Sequence, residues 1–201
     1  MAIIKINKDN IIEAAKALER GEILIMPCDT FYGFVVNALC EDSVEKIYKL
    51  KNRESKKPLG IFVNKEDVNK YAVVNEKAKI LMDNVLPAPL NMVLKKKDTV
   101  PDFVTRGKDT VMIMCHSIWI LQELYNLTGI PMASSSCNYS GEPAATNVNM
   151  VKKFENDVDL ILDNGDSDYK ICGTIVDLID EPKILRPGAF PKDKLQKYIN
   201  L

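Results

Sequence analysis

Short apolar segments alternate with amphipathic ones along this chain, and the alternation restricts its fold more than any other feature. The opening AIIKI (2–6) alternates like a β-strand, and EILIMP (22–27) reads as a second strand. The helix predicted between them has an apolar face made of Ile11, Ile12, Ala15 and Leu18. Because the pattern persists to a terminal helix from about Lys192, the sequence predicts an α/β fold.

Size and charge restrict the possible functions. A chain of 201 residues with 46% hydrophobic residues is long enough for one domain with a substantial core. Its 27 basic and 28 acidic side chains nearly cancel, which leaves a net charge of −1. The whole molecule therefore lacks the positive field on which non-specific nucleic-acid binding depends, and any contact with RNA or phosphate has to be local.

Cysteine usage and hydropathy favour a cytoplasmic protein. The five cysteines are scattered and form no C-x-x-C pair, which argues against a disulfide framework. The chain has no apolar run near the roughly 18 residues that a membrane span requires. We therefore expect reduced thiols, no export and no insertion into a membrane.

Basic side chains concentrate where a helix over residues 41–50 should end. The run consists of Lys49, Lys51, Arg53, Lys56 and Lys57. Lysine supplies a point charge and arginine a planar fork for two oxygens, so together they suit a phosphate or carboxylate whose charge changes during a reaction. The alternative is a solvated helix end, where cations offset the helix dipole.

A long polar loop is a second candidate site. Residues 135–148 are dense in Ser, Asn, Gly, Pro and Thr, which is a long stretch for an idle connection. The small polar groups that could surround ligand oxygens are Ser134, Ser135, Ser136, Asn138 and Ser140. Ser and Asn also satisfy their own backbone in turns, which is the structural alternative.

Two further segments place polar side chains after apolar runs. CDTFYG (28–33) follows the second strand. Its Thr30 hydroxyl and Tyr32 ring could contact a polar ligand and an adenine face, although Phe31 and Tyr32 also suit the core. Near the C-terminus, Arg186 precedes a Pro-Gly turn that could hold a guanidinium for an anion.

Several common chemistries lack their sequence signals. His116 is the one histidine of the chain, so neither a Ser-His-Asp triad nor a structural zinc site is indicated. Cys137 has no companion base in the sequence and is interpreted as a packing thiol. G-x-x-x-x-G-K-[ST] and G-x-G-x-x-G are both absent, so a nucleotide would bind without a Walker loop or a Rossmann fingerprint.

Six short motifs follow one another in order. They are PCDTFYG (27–33), KNRESKKPL (51–59), SSCNYSG (135–141), DNG (163–165), GTIVDL (173–178) and LRPGA (185–189). Together they resemble the YrdC/YciO family, and within it the threonylcarbamoyl-AMP synthases. The match spans nearly the whole chain, and the combination of Lys-x-Arg with Ser-x-Asn is its most specific part.

The resemblance implies a fold and an activity. The fold is a twisted open mixed sheet with flanking helices around a large, positively lined concave cavity, with residues 1–201 as a single YrdC-like domain. The activity is that of a nucleotidyltransferase that condenses L-threonine, bicarbonate and ATP into threonylcarbamoyl-AMP and pyrophosphate, with Mg²⁺ on the phosphates. A partner enzyme would then transfer the threonylcarbamoyl group to an adenosine of certain tRNAs.

The resemblance also implies roles for individual residues. Lys51 and Arg53 match a catalytic cationic pair that stabilises charge on carbamate and phosphate oxygens. The predicted nucleotide- and substrate-binding residues are Thr30, Tyr32, Ser136, Asn138, Ser140, Thr174 and Arg186. No nucleophilic side chain is required, because the threonine amine attacks bicarbonate and the carbamate oxygen then attacks the α-phosphate.

The chain departs from the family pattern at three places on the expected cavity. Met114 stands at an arginine position. Ala88 and Asn91 replace a glycine and a threonine, and Cys172-Gly173 replaces Glu-Ser. One alternative is therefore a diverged carbamoyl-adenylating enzyme that uses a different acid.

A second alternative belongs to another class of protein. Lysines at 56–57 and 95–97 could line a surface for double-stranded RNA or tRNA. The chain would then be a non-catalytic binding module, and its binding would weaken strongly with salt.

Overall fold

Ten strands among the described residues form one mixed sheet. This computed structural model describes residues 2–52, 54 and 56–201. The strands are β1 (Ala2–Lys5), β2 (Leu24–Pro27), β3 (Tyr32–Asn37), β4 (Gly60–Phe62), β5 (Leu90–Lys95), β6 (Thr110–Met114), β7 (Met132–Ser136), β8 (Leu160–Asp163), β9 (Thr174–Asp177) and β10 (Lys183–Arg186). The helices are α1 (Ile11–Glu19), α2 (Glu41–Lys51), α3 (Val68–Tyr71), α4 (Glu76–Asn84), α5 (Asp102–Thr105), α6 (Trp119–Thr128), α7 (Val148–Val151) and α8 (Lys192–Leu195), with 3₁₀ turns at Lys65–Asp67 and Lys152–Phe154.

The order of the strands confirms the predicted mixed sheet. It runs β1-β8-β2-β3-β7-β4-β6-β5-β9-β10. The pairs β1/β8, β2/β8, β4/β6 and β5/β9 are parallel, whereas β2/β3, β3/β7, β4/β7, β5/β6 and β9/β10 are antiparallel. Because β2 and β3 are antiparallel neighbours, the short loop 28–31 joins them directly. This loop lies where β2 ends and β3 begins.

Helix α1 shows how the apolar pattern selects the buried face. Ile11, Ala14, Ala15 and Leu18 are buried, at the i, i+3, i+4 and i+7 spacing of one helical face. Ile12, predicted to share that face, is 48% exposed because it lies about 100° around the helix from Ile11. The buried face packs on α6, which ends at Gly129.

The core lies on both faces of the central strands. All residues of β2 are buried, and so are those of β3 apart from Asn37. A strand covered on both faces reads as a continuous apolar run, which explains the sequence EILIMP. Full burial of a Val, Leu, Ile, Phe or Met side chain in these strands contributes roughly 1.5–3 kcal/mol to the free energy of unfolding. Among the helices that the structure describes, none is long and apolar enough to cross a membrane.

Candidate active site

A concave cavity of about 180 Å³ has the sheet itself as its floor. Ser134 of β7 pairs with Gly60 of β4, and Gly60 pairs with Met112 of β6. The floor continues to β5, because Met114 pairs with Asn91. The cavity therefore collects residues that are far apart in the sequence, and it lies where the motifs meet.

Two sides of this cavity differ in chemistry. The side that we name the serine wall consists of Thr30, Ser134, Ser135 and Ser136. The side that we name the methionine wall consists of Asn91, Met112, Met114 and His116. The first is built by the β2–β3 loop and β7, and the second by β5, β6 and the residues directly after β6.

Lys51 joins the serine wall to the basic run at the end of α2. Its ammonium group donates to the carbonyl oxygen of Ser136, and to the carbonyl oxygen and Oδ1 of Asn138 at 2.7 and 2.8 Å. The Ser136 hydroxyl donates to the same Oδ1 at 2.7 Å. The backbone N–H of Ser140 donates to the Lys51 carbonyl oxygen at 3.0 Å. Lys51 therefore connects the two constellations that the sequence presents separately.

The burial of Lys51 follows from its place on the helix. It is 2% exposed, since it lies on the same face of α2 as Val44 and Ile47. The alternative of a solvated helix end is therefore wrong for Lys51, although it describes the exposed Lys49. The other predicted cation, Arg53, lies outside the described residues, and its role stays a prediction.

The β2–β3 loop is fixed by a carboxylate behind Thr30. Asp29 is 1% exposed and accepts hydrogen bonds from the backbone N–H groups of Ser117 and Ile118 at 2.9 and 2.8 Å, and from the Ser117 hydroxyl at 3.0 Å. These groups directly precede α6, where a negative charge is favourable. Asp29 therefore anchors the loop that places Thr30 at the cavity.

The methionine wall contains buried polar atoms that have no partner among the described residues. His116 is 6% exposed and neither ring nitrogen is hydrogen-bonded, and Asn91 is 5% exposed with Oδ1 unbonded. Burial lowers the pKa of His116 below its ordinary value, against a smaller opposite effect of the Asp29 carboxylate. The ring is therefore neutral near pH 7, with one nitrogen as a donor and the other as an acceptor.

Comparison with known proteins decides the family. Residues 16–188 match the family model of the Sua5, YciO and YrdC proteins. That family model carries the description "Telomere recombination". The chain belongs to the Sua5/YciO/YrdC family. The resemblance indicated by the six sequence motifs is thereby confirmed.

Relatives within the Sua5/YciO/YrdC family are named threonylcarbamoyl-AMP synthases. A Methanocaldococcus jannaschii protein with that name, given provisionally, is 38% identical over 97% of this chain and 97% of its own length. The Bacillus subtilis synthase is 32% identical over 96% of this chain and 57% of its own length. The structure of P. abyssi Sua5 complexed with L-threonine superposes with a TM-score of 0.93 and 32% identity, over 98% of this chain and 59% of that one. This chain thus spans nearly all of the first relative and less than two thirds of the length of the other two.

Three of the binding residues that the sequence predicts for this chain face the cavity. Thr30, Ser136 and Arg186 line it. The Arg186 guanidinium donates to the carbonyl oxygen of Gly173 through Nη2 at 3.0 Å and Nε at 3.3 Å. Arg186 is the one permanent cation among the described lining residues, so the expected positive lining is sparse there. The methionine wall contributes no permanent charge.

The remaining predicted binding residues lie behind or beside the cavity. Tyr32 borders it but is 0% exposed, and its hydroxyl donates to the Gly165 carbonyl oxygen at 2.7 Å, so the ring packs in the core instead of facing an adenine. The Thr174 hydroxyl is also buried and donates to the Phe190 carbonyl oxygen at 2.6 Å, which turns it away from the cavity.

Asn138 and Ser140 are placed by their bonds to Lys51. Asn138 is 9% exposed, and its side-chain nitrogen donates to the carbonyl oxygens of Tyr139 and Glu142 at 3.0 and 2.7 Å. Ser140 is exposed and contacts Lys51 through its backbone. Both residues hold the polar loop in place and neither lines the cavity.

The departures from the family pattern place Asn91 on the expected cavity, and the cavity lining confirms this, whereas no motif identifies His116 as a cavity residue. A usable signal was the spacing of Met112, Met114 and His116, since residues two apart in a strand lie on one face.

Two buried thiols nearby are unreactive. Burial raises the pKa of both Cys28 and Cys137 to about 12, so both are protonated at neutral pH, as expected for packing thiols.

Proposed function

We propose that this chain condenses L-threonine, bicarbonate and ATP into threonylcarbamoyl-AMP and pyrophosphate. The observation that carries the proposal is the close similarity, over 98% of the chain, to a Sua5 structure complexed with L-threonine. The cavity supports it, because hydroxyl groups and one guanidinium line a concave site on the sheet. Relatives named as synthases support ATP as the second substrate.

Positioning and electrostatics are the proposed basis of catalysis. The threonine amine attacks bicarbonate to form a carbamate, whose oxygen attacks the α-phosphate of ATP and displaces pyrophosphate. Lys51 is held rigidly by oxygen atoms of Ser136 and Asn138, so its charge would be in place before negative charge develops at the serine wall. We assign Arg53 as its predicted companion and Arg186 as a fork for a phosphate or carboxylate.

The nucleotide is proposed to bind as its magnesium complex. No group of three or more His, Cys, Asp or Glu side chains in the described part of the chain could hold a metal ion. Mg²⁺ is coordinated well by phosphate oxygens and water, so we propose that it enters on ATP as part of the substrate. The Thr30 hydroxyl is the proposed donor to nucleotide or threonine oxygens. The Ser136 hydroxyl already donates to Asn138 Oδ1, so we propose that it accepts from a ligand donor such as the threonine hydroxyl.

The product is a reactive mixed anhydride that must be consumed. We propose that it passes to a partner enzyme that transfers the threonylcarbamoyl group to an adenosine of tRNA. The protein would then act in the cytoplasm beside that partner.

Several lysines of the surface that was the alternative candidate for RNA binding are paired with neighbouring side chains. Lys96 donates to Asp102 at 2.7 Å, and Lys97 donates to Oδ1 of Asn69 at 3.0 Å. Lys57 pairs with Glu54 at 3.1 Å. Because these contacts give RNA binding no particular support, we propose no second function.

A pyrophosphate-release assay tests the proposal. The protein is incubated with ATP and Mg²⁺, and L-threonine or bicarbonate is left out in turn. We expect release only when both are present. Release that is indifferent to threonine would contradict the proposal, and release with another amino acid from a panel would favour the diverged enzyme with a different acid.

A further inference from the structure

Two unpartnered polar side chains belong to the methionine wall. Asn91 Oδ1 and both ring nitrogens of His116 are buried without hydrogen bonds to the described residues. An unsatisfied buried polar atom destabilises the fold. Since both residues line the same cavity, a ligand that bonds to them would offset this cost.

The wall is shaped to leave room for these side chains. A Cβ atom at Gly173 would lie 3.2 Å from Asn91 Nδ2 and 3.1 Å from the Pro89 carbonyl oxygen, so the glycine makes space for the amide. A Cβ atom at Gly60 would overlap the methyl group of Met112. The side chains of Asn91 and Met112 therefore pack over glycines.

The chemistry of the two side chains selects the ligand group. Asn91 presents an oxygen acceptor, and a neutral imidazole presents one acceptor nitrogen. The nearby Asp29 carboxylate already accepts bonds from the residues before α6, yet its charge still favours a cation. Met112 and Met114 add no charge. An ammonium group, which has three donors and a positive charge, fits these acceptors.

We propose that Asn91 and His116 form the subsite for the α-amino group of the amino-acid substrate. This inference rests on the proposed function and adds to it the residues that would hold and deprotonate the amine. The serine wall and Arg186 are then left for the phosphate and carboxylate oxygens.

His116 can also free the amine for reaction. The substrate ammonium gives one proton to the acceptor nitrogen of His116 and keeps the electron pair as a free amine. The amine nitrogen then bonds to the bicarbonate carbon, and the departing hydroxide leaves as water with a second amine proton. The products are the carbamate and protonated His116, so atoms and charge balance.

The proton has a route away from the substrate. His116 borders a second cavity of about 190 Å³, which Lys65, Glu66 and Gln122 also line. Because His116 borders both cavities, a proton taken from the substrate can leave through the second one. His116 then returns to its neutral form for the next turnover.

Direct binding measurements test the subsite. L-threonine and the analogue with a hydroxyl in place of its amino group, 2,3-dihydroxybutanoate, are titrated calorimetrically into protein loaded with a non-hydrolysable ATP analogue. The wild type should prefer threonine. His116→Leu and Asn91→Leu should each reduce that preference about tenfold or more, because each removes an acceptor of a charged donor. His116→Gln, which keeps an acceptor, should recover part of it.

A control variant separates the subsite from general effects. Asn126→Leu alters only the second cavity, at an exposed residue, and should leave the preference unchanged. Unchanged affinity for the ATP analogue shows that each variant is folded. An unaltered preference in both leucine variants, or a wild type that does not prefer threonine, would overturn the subsite. If the preference is found but no pyrophosphate forms, the subsite stands and the proposed function fails.

Discussion

The serine wall and the methionine wall face one cavity but satisfy their polar groups in different ways. In the serine wall, Ser136 is bonded to Asn138, and both accept from the buried ammonium of Lys51. In the methionine wall, Asn91 Oδ1 and the His116 ring have no partner among the residues that the structure describes. The first wall is organised by the protein itself, whereas the second has bonds left for a ligand.

Removal of Lys51 should have the largest effect, because it removes the charge that organises the serine wall. We expect Lys51→Ala to reduce pyrophosphate formation about 100-fold or more, as when a preorganised donor is lost from an active site. The chain should still fold. Lys49→Ala, at an exposed position on the same helix, should keep near-normal activity in the same assay. Equal activity in the two variants would show that the buried lysine has no special role.

Truncation of Asn138 should damage the serine wall through stability. Asn138→Ala removes hydrogen bonds to Lys51, Ser136, Tyr139 and Glu142, and we expect a loss of about 2–3 kcal/mol in the free energy of unfolding. Urea unfolding followed by circular dichroism measures this loss. Ser136→Ala removes only the hydroxyl that donates to Asn138 Oδ1 and should lose less, so an equal loss in both variants would argue against the central role of Asn138.

Acid should destabilise the protein through the methionine wall. Because burial holds the pKa of His116 below its ordinary value of about 6.5, the unfolded chain binds the proton more readily. The contribution of neutral His116 to the free energy of unfolding is therefore complete above about pH 6.5. It declines as the pH falls below about 6.5, by at most about 1.4 kcal/mol per pH unit for one proton.

Comparison of wild type and His116→Leu isolates this effect. The groups around the ring are Asp29, Cys115, Lys65 and Glu66, of which Asp29 opposes the effect of burial. Thermal unfolding between pH 7 and 5 should give a shallower decline for His116→Leu than for the wild type. Parallel declines would mean that the histidine is not the titrating group.

The smallest expected effect concerns the contact between Gly173 and Asn91. Gly173 does not adopt a left-handed φ, so Gly173→Ala acts through its Cβ contact and not through the backbone. Asn91→Ala removes one of the two contacted groups. We therefore expect the double variant to be more stable than the sum of the single changes by about 0.5–1 kcal/mol. Strict additivity in urea unfolding would show that the two residues are not packed against each other.

The fold could be predicted from the sequence where the pattern is local. The run EILIMP predicts β2, and the end of α6 at Gly129 follows from a glycine after an amphipathic segment. The order of strands could not be predicted in this way. Gly60 pairs with residues as distant as Met112 and Ser134, and no local pattern specifies such partners.

The site divides in the same way. The serine wall is rich in residue types that attract attention, and Thr30, Ser136 and Arg186 do line the cavity. The burial of Lys51 was open to prediction, since it shares the helical face of Val44 and Ile47. The unpartnered state of His116 was not, because it depends on what α6 and the β2–β3 loop place around the ring.

Formation of the mixed anhydride tests the account most directly. The protein is incubated with ATP, Mg²⁺, L-threonine and isotope-labelled bicarbonate, and the nucleotides are separated and analysed by mass spectrometry. The account predicts a new adenylate with the mass of threonylcarbamoyl-AMP that carries the labelled carbon. Consumption of ATP that yields only unlabelled AMP or ADP would contradict it.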